Sequence, residues 1–161
     1  MASTTSAANP EEIMAYSTIY GLLYYTPHVM AVIFLVALYS TDIPARERFL
    51  ARAAVALAIA TFLAHVNRIF HFDPTHLYFP SGHMTFCLGI SISLAMLRPW
   101  TLCLTLPFLA YFGRAIVVYH CHTTGDVLGA IPLVLVVYGI VHAVWKVSPP
   151  APPLDRVKIS P

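Results

Sequence analysis

Charge is what this chain has least of. Asp, Glu, Lys and Arg make up only 10% of its 161 residues, while 58% are hydrophobic. A soluble domain carries about 25% charged residues. With a mean hydropathy of +0.73, the composition excludes an ordinary water-soluble domain and points to an integral membrane protein, short enough for one domain. A formal net charge of +2 provides no basic face, so no nucleic-acid partner is expected. Cysteine is equally scarce. Cys87, Cys103 and Cys121 lack the recurring Cys/His spacing of a zinc site. Cys87 and Cys103 lie in apolar runs as small hydrophobes, and Cys121 reads as a spacer between two histidines. Residues 1–10 are small and polar, with no basic stretch ahead of an apolar one. No cleavable signal is therefore expected, and the first span acts as its own insertion signal. No internal repeat is evident, which argues against a transporter built from inverted halves.

What is present is apolar sequence in blocks. Residues 16–39, 49–70, 82–97, 102–119 and 127–145 approach the roughly 20 apolar residues that a spanning helix needs. The expected fold is all-α, an integral-membrane bundle of about five transmembrane helices, with the third span short. Residues 1–15 form a polar N-terminal segment, 16–147 the transmembrane domain, and 148–161 a tail rich in proline (Pro149, Pro150, Pro152, Pro153), expected to be extended or disordered. The loop near 70–80 holds Phe72, Tyr78 and Phe79, which suit the bilayer interface. Five spans put Arg46, Arg48, Arg52, Arg98, Lys146, Arg156 and Lys158 on one side, and Glu11, Glu12 and Asp73 on the other. The positive-inside rule makes the first side cytoplasmic.

Two polar islands interrupt the apolar blocks. They are Pro80-Ser81-Gly82-His83, and His120-Cys121-His122-Thr123-Thr124-Gly125-Asp126 with Arg114 upstream. Both fall on the extracytoplasmic or lumenal side of the expected topology. Polar groups are costly in a membrane and usually functional there. In the first island, Ser81 suits a helix N-cap, Gly82 lets backbone approach a ligand, and unpaired N–H groups of the helix start attract phosphate. His83 in the first turn can protonate a leaving oxygen; alternatively the island is a capped helix start with an interfacial histidine. In the second, His122 and Asp126 are four apart and share a helix face. A carboxylate on one imidazole nitrogen sets the tautomer and makes the other nitrogen a better nucleophile. Alternatively Asp126 is a cap. Thr123 or Thr124 suits the cap of the fifth helix. Arg114 suits bidentate phosphate binding or snorkelling. Arg68 is a second phosphate cation or an interfacial anchor. His65, His71 and His76 lie near but at spacings that do not form one metal-binding face, so no metal is expected. His28 and His142 read as packing or pore-lining residues.

At these residues the chain resembles the type 2 phosphatidic acid phosphatase superfamily of membrane lipid phosphatases. Pro80 to His83 match its Pro-Ser-Gly-His motif, and His122, Asp126 and Val127-Leu128-Gly129 match the core of its His-x-x-x-Asp motif. The likeness covers about residues 60–140. It implies that His122 attacks phosphorus to form a phosphohistidine, that Asp126 orients it and that His83 protonates the leaving group. It also implies that Ser81, Gly82, Arg114 and Arg68 hold the phosphate oxygens, with no metal or cofactor and a lipid phosphate as substrate. Differences from the pattern are visible. Arg114 stands six before His120 but eight before His122, Thr124 follows His120 by four, Thr61 stands where a lysine is usual, and Ile69 follows Arg68 in place of proline. The superfamily fold has six spans. Ser81-Gly82-His83 and His122-Thr123-Thr124-Gly125-Asp126 also resemble the sphingomyelin synthase-like enzymes and plant phosphatidylcholine:diacylglycerol cholinephosphotransferases, which carry a second histidine where His120 stands. These enzymes transfer a phospho-headgroup to a lipid alcohol. Hydrolysis is the favoured expectation and headgroup transfer the alternative. The missing lysine also permits a catalytically inactive membrane binding protein.

Overall fold

The computed structural model describes residues 10–40, 46–70 and 79–147. Among them there is no strand, and the chain forms an all-α bundle of five helices: α1 (Pro10–Ser40), α2 (Arg46–Phe70), α3 (Gly82–Leu97), α4 (Leu102–Val118) and α5 (Thr124–Val147). A single 3-10 turn, Pro99–Thr101, leads into α4. Four stretches are long and apolar enough to cross a membrane: Leu23–Ser40, Glu47–Phe70, Pro99–Val118 and Thr124–Trp145. Their outward faces carry Val32, Val36, Leu104, Tyr111, Leu135 and Ile140 exposed, as lipid contact requires.

The shortness of α3 has a physical reason. Its 16 residues rise roughly 24 Å, less than the roughly 30 Å of a hydrocarbon core. It packs against all four other helices, so its middle is buried in protein, while Met96 near its end stays exposed. Its buried positions include Thr85, Cys87, Gly89, Ser91 and Ser93. Small residues let helix backbones approach closely where no hydrophobic force drives helices together in lipid.

A polar lock fixes α3 to α5. The Tyr138 hydroxyl donates to the Gly89 carbonyl at 2.9 Å, Ser93 Oγ donates to the same carbonyl at 3.0 Å, and the two hydroxyls lie 3.0 Å apart. A Cβ at position 89 would lie 2.7 Å from Leu57 Cδ1 and 3.1 Å from Tyr138 Oη, so glycine is what admits α2 and α5 at this level.

The helices alternate in direction. Arg48 and Arg52 begin α2 and Arg98 ends α3 at one end of the bundle, while the two polar islands meet at the other. Phe79 seats the start of the second island's partner: its ring occupies the space a Cβ would take at Gly129 of α5. The rest of the expected interfacial loop, including Phe72 and Tyr78, and the proline-rich tail lie outside the described residues. Tyr138→Phe removes the hydroxyl of the lock without creating a large void. It is expected to lower stability by about 1 kcal/mol, read as a lower midpoint of unfolding in detergent, with the fold retained.

Candidate active site

The first island is built by capping. Ser81 is the N-cap of α3 in extended backbone (φ −62°, ψ 116°), and its Oγ accepts from the Met84 N–H at 3.3 Å. Ser81 is fully buried. Its N–H donates to the Asp126 carbonyl at 2.9 Å, which ties the start of α3 to the first turn of α5.

The second island is built by two back-to-back caps. α4 ends in a Schellman motif, in which the His120 N–H donates to Val117 O (3.0 Å) and the Cys121 N–H to Ile116 O (2.9 Å). The motif requires a left-handed residue, and His120 takes that place at φ 55°. Three residues on, Thr123 caps α5. Its Oγ1 accepts from the Asp126 N–H at 3.2 Å, and Asp126 Oδ2 accepts from the Thr123 N–H at 2.8 Å, a reciprocal capping box. Both readings of Asp126 therefore hold in part. The oxygen that caps α5 also lies 3.7 Å from His122 Nδ1. That is longer than a hydrogen bond, and catalytic contacts of this kind commonly tighten only when substrate binds.

The caps bring the islands to one cavity of about 420 Å³, lined by Leu23, Tyr24, His65, Arg68, Gly82, His83, His120 and His122 among others. The rings of His83 and His122 stand 6.4 Å apart, centroid to centroid. Tyr24 of α1 closes the far side, 6.3 Å from His83. Arg68 is the one Lys or Arg lining the cavity among the described residues. Nδ1 is the His122 ring nitrogen on the Asp126 side. Burial pushes the His122 pKa below the usual histidine value, and the Asp126 carboxylate opposes this without reversing it. This shift favours the neutral imidazole.

Of the residues singled out from sequence, His83, His122, His120, Arg68 and Gly82 line this cavity, and Asp126 backs it. Ser81 does not line it, and its hydroxyl is engaged as the cap. Arg114 is not brought to it either. Ile116 faces the cavity, and two residues turn a helix by about 200°, so Arg114 points to the opposite flank of α4, where it lines a separate apolar groove.

His65 emerges as a site residue that the spacing argument set aside. It lies three residues before Arg68 on the same helix face, which is the signal that finds it. Its Nδ1 lies 2.7 Å from the Thr61 carbonyl. Only a protonated nitrogen bonds a carbonyl, so Nδ1 carries a proton and Nε2 is the nitrogen turned toward position 82. A Cβ at position 82 would lie 2.8 Å from that Nε2, so the glycine of the first island is what makes room for this ring. Among the described residues no group of three His, Cys, Asp or Glu is arranged to hold a metal ion; His71 and His76 lie outside them.

Compared with protein-family models, curated proteins and solved structures, the chain matches none. What the fold and site define is a class: a membrane-embedded helical bundle with a histidine-lined cavity at one end.

Two outcomes follow from this geometry. His122 is expected to titrate below the usual histidine range by NMR in detergent. Asp126→Asn removes the one influence that raises its pKa, so the midpoint moves to still lower pH; an upward move would contradict the pairing. Replacing left-handed His120 by glycine relieves backbone strain of about 1 kcal/mol, so His120→Gly is expected to raise thermal stability while removing an imidazole from the cavity.

Proposed function

We propose that this protein is a membrane lipid phosphatase, hydrolysing a lipid phosphate ester through a phosphohistidine on His122, in the manner of the type 2 phosphatidic acid phosphatases it resembles. The observation that carries the reading is the juxtaposition of His83 and His122, 39 residues apart in the chain, across one cavity with Asp126 behind His122. A nucleophile backed by a carboxylate and an acid across the cavity is the set of groups that a phosphohistidine mechanism uses, and their sharing one cavity supports the reading. His122 Nε2 attacks phosphorus and forms the P–N bond. His83, in its protonated form, gives its proton to the departing alkoxide as the P–O bond breaks. It then takes a proton from the incoming water, which cleaves the P–N bond and releases phosphate. Arg68 and the open N–H groups of the first turn of α3 hold the phosphate oxygens, and His120 is near enough in the cavity to donate to one of them. Arg114 takes no part in this arrangement. By the positive-inside rule the Arg48, Arg52 and Arg98 end is cytoplasmic, so the cavity opens to the extracytoplasmic or lumenal side.

Product analysis with labelled phosphatidic acid, prenyl diphosphate and phosphatidylcholine tests the reading. Free phosphate released from a lipid phosphate supports it. A headgroup moved to diacylglycerol or ceramide would assign the same site to transfer. No turnover across the panel would make it a binding protein. His122→Ala is expected to lower the rate by at least about 10³-fold and to abolish an acid-labile, base-stable phosphoprotein trapped from radiolabelled substrate.

A further inference from the structure

Among the described residues, Arg114 is the one charged residue lining a long apolar groove on the molecule's flank. The groove encloses about 920 Å³ between α3, α4 and α5. Its walls are Leu88, Met96, Leu106, Leu128 and Leu135 with their apolar neighbours, and Thr124 stands beside Arg114 at one end. It shares no lining residue with the histidine cavity. The two are separated where Gly113 of α4 meets Val127 and Met84; a Cβ at position 113 would lie 3.1 Å from Val127 Cγ1.

The groove is long enough for an acyl chain. From Arg114 to Leu102, the first residue of α4, the helix rises about 18 Å, so a chain entering beside Arg114 can run down the groove past the roughly 15 Å depth of one leaflet. Arg114 lies four residues before the last residue of α4, about 6 Å below the helix end, and its long side chain reaches the headgroup level from there. Among the described residues no acidic side chain lines the groove. A guanidinium pairs with phosphate in a fork, whereas the ammonium of a zwitterionic headgroup finds only a like charge beside it. Basic sites between transmembrane helices suit anionic lipid headgroups in this way.

We infer that the α3–α4–α5 groove is a binding site for an anionic phospholipid of the leaflet that faces the histidine cavity, with one acyl chain along the groove and the headgroup phosphate on Arg114. The site is separate from the proposed catalysis and stands whether or not the protein hydrolyses a phosphate ester.

The test is native mass spectrometry of the full chain in detergent, with equal amounts of phosphatidylglycerol and phosphatidylcholine of the same acyl chains. The wild type is expected to retain phosphatidylglycerol about tenfold better, equivalent to about 1.4 kcal/mol. Arg114→Gln removes that preference. Ala110→Trp, which fills the groove from an exposed position, reduces retention of both lipids. Arg68→Gln, at the other cavity, leaves the preference intact. Equal retention of both lipids by the wild type, an unchanged preference in Arg114→Gln, or its loss in Arg68→Gln would each overturn the inference.

Discussion

The 2.9 Å hydrogen bond from the Ser81 N–H to the Asp126 carbonyl joins two helix starts that would otherwise be independent. In a bilayer an N–H at a helix end has no water to turn to at depth and must find a protein partner. Here the partner is the first turn of another helix. The bond therefore sets both the depth at which α3 begins and its position beside α5. The cavity depends on that position, because His83 follows Ser81 by two residues and His122 precedes Asp126 by four. Shift either helix by one residue and the two imidazoles no longer face each other.

Around that bond, the atoms that cap the helices also shape the cavity. Asp126 Oδ2 closes the α5 capping box and backs His122. The Ile116 carbonyl accepts from both Cys121 and His122, so the Schellman turn that ends α4 also positions the histidine after it. His120 occupies a left-handed position that glycine fills more easily. A strained residue at a site is a pointer to function, and this one places an imidazole in the cavity where a glycine would place none. Gly82 and His65 are matched in a similar way, the missing side chain of one being the space held by the other.

The membrane setting explains the remaining architecture. A short helix can be central only because four others surround it, and its small and hydroxyl-bearing residues allow that closeness. The Tyr138–Ser93–Gly89 cluster then supplies polar contacts in a region where hydrophobic packing discriminates little between helix partners. Charges are kept to the ends, with Arg114 and Arg68 each at the mouth of a different cavity at the same end of the bundle.

Helices and their approximate limits were legible in the residues themselves, because an apolar block bounded by prolines, charges and capping residues leaves the backbone few alternatives. The cap of α5 was legible as one of two threonines, Thr123 or Thr124; the structure decides for Thr123 through its reciprocal bonds with Asp126. The polar content of the islands was legible as residue types: a histidine with a carboxylate four residues on, and a second histidine in a helix's first turn. Tertiary structure alone decided which side chains meet. Rotation about α4 sent Ile116 to the cavity and Arg114 to the lipid-facing groove, and spacing in one chain carries no information on the angle at which a helix meets its neighbours. Packing of α2 against Gly82 brought in His65, whose place depends on a contact 17 residues away in the chain. Local sequence specifies caps and spans because those interactions close within a few residues. The cavity forms only when four helices have been set side by side.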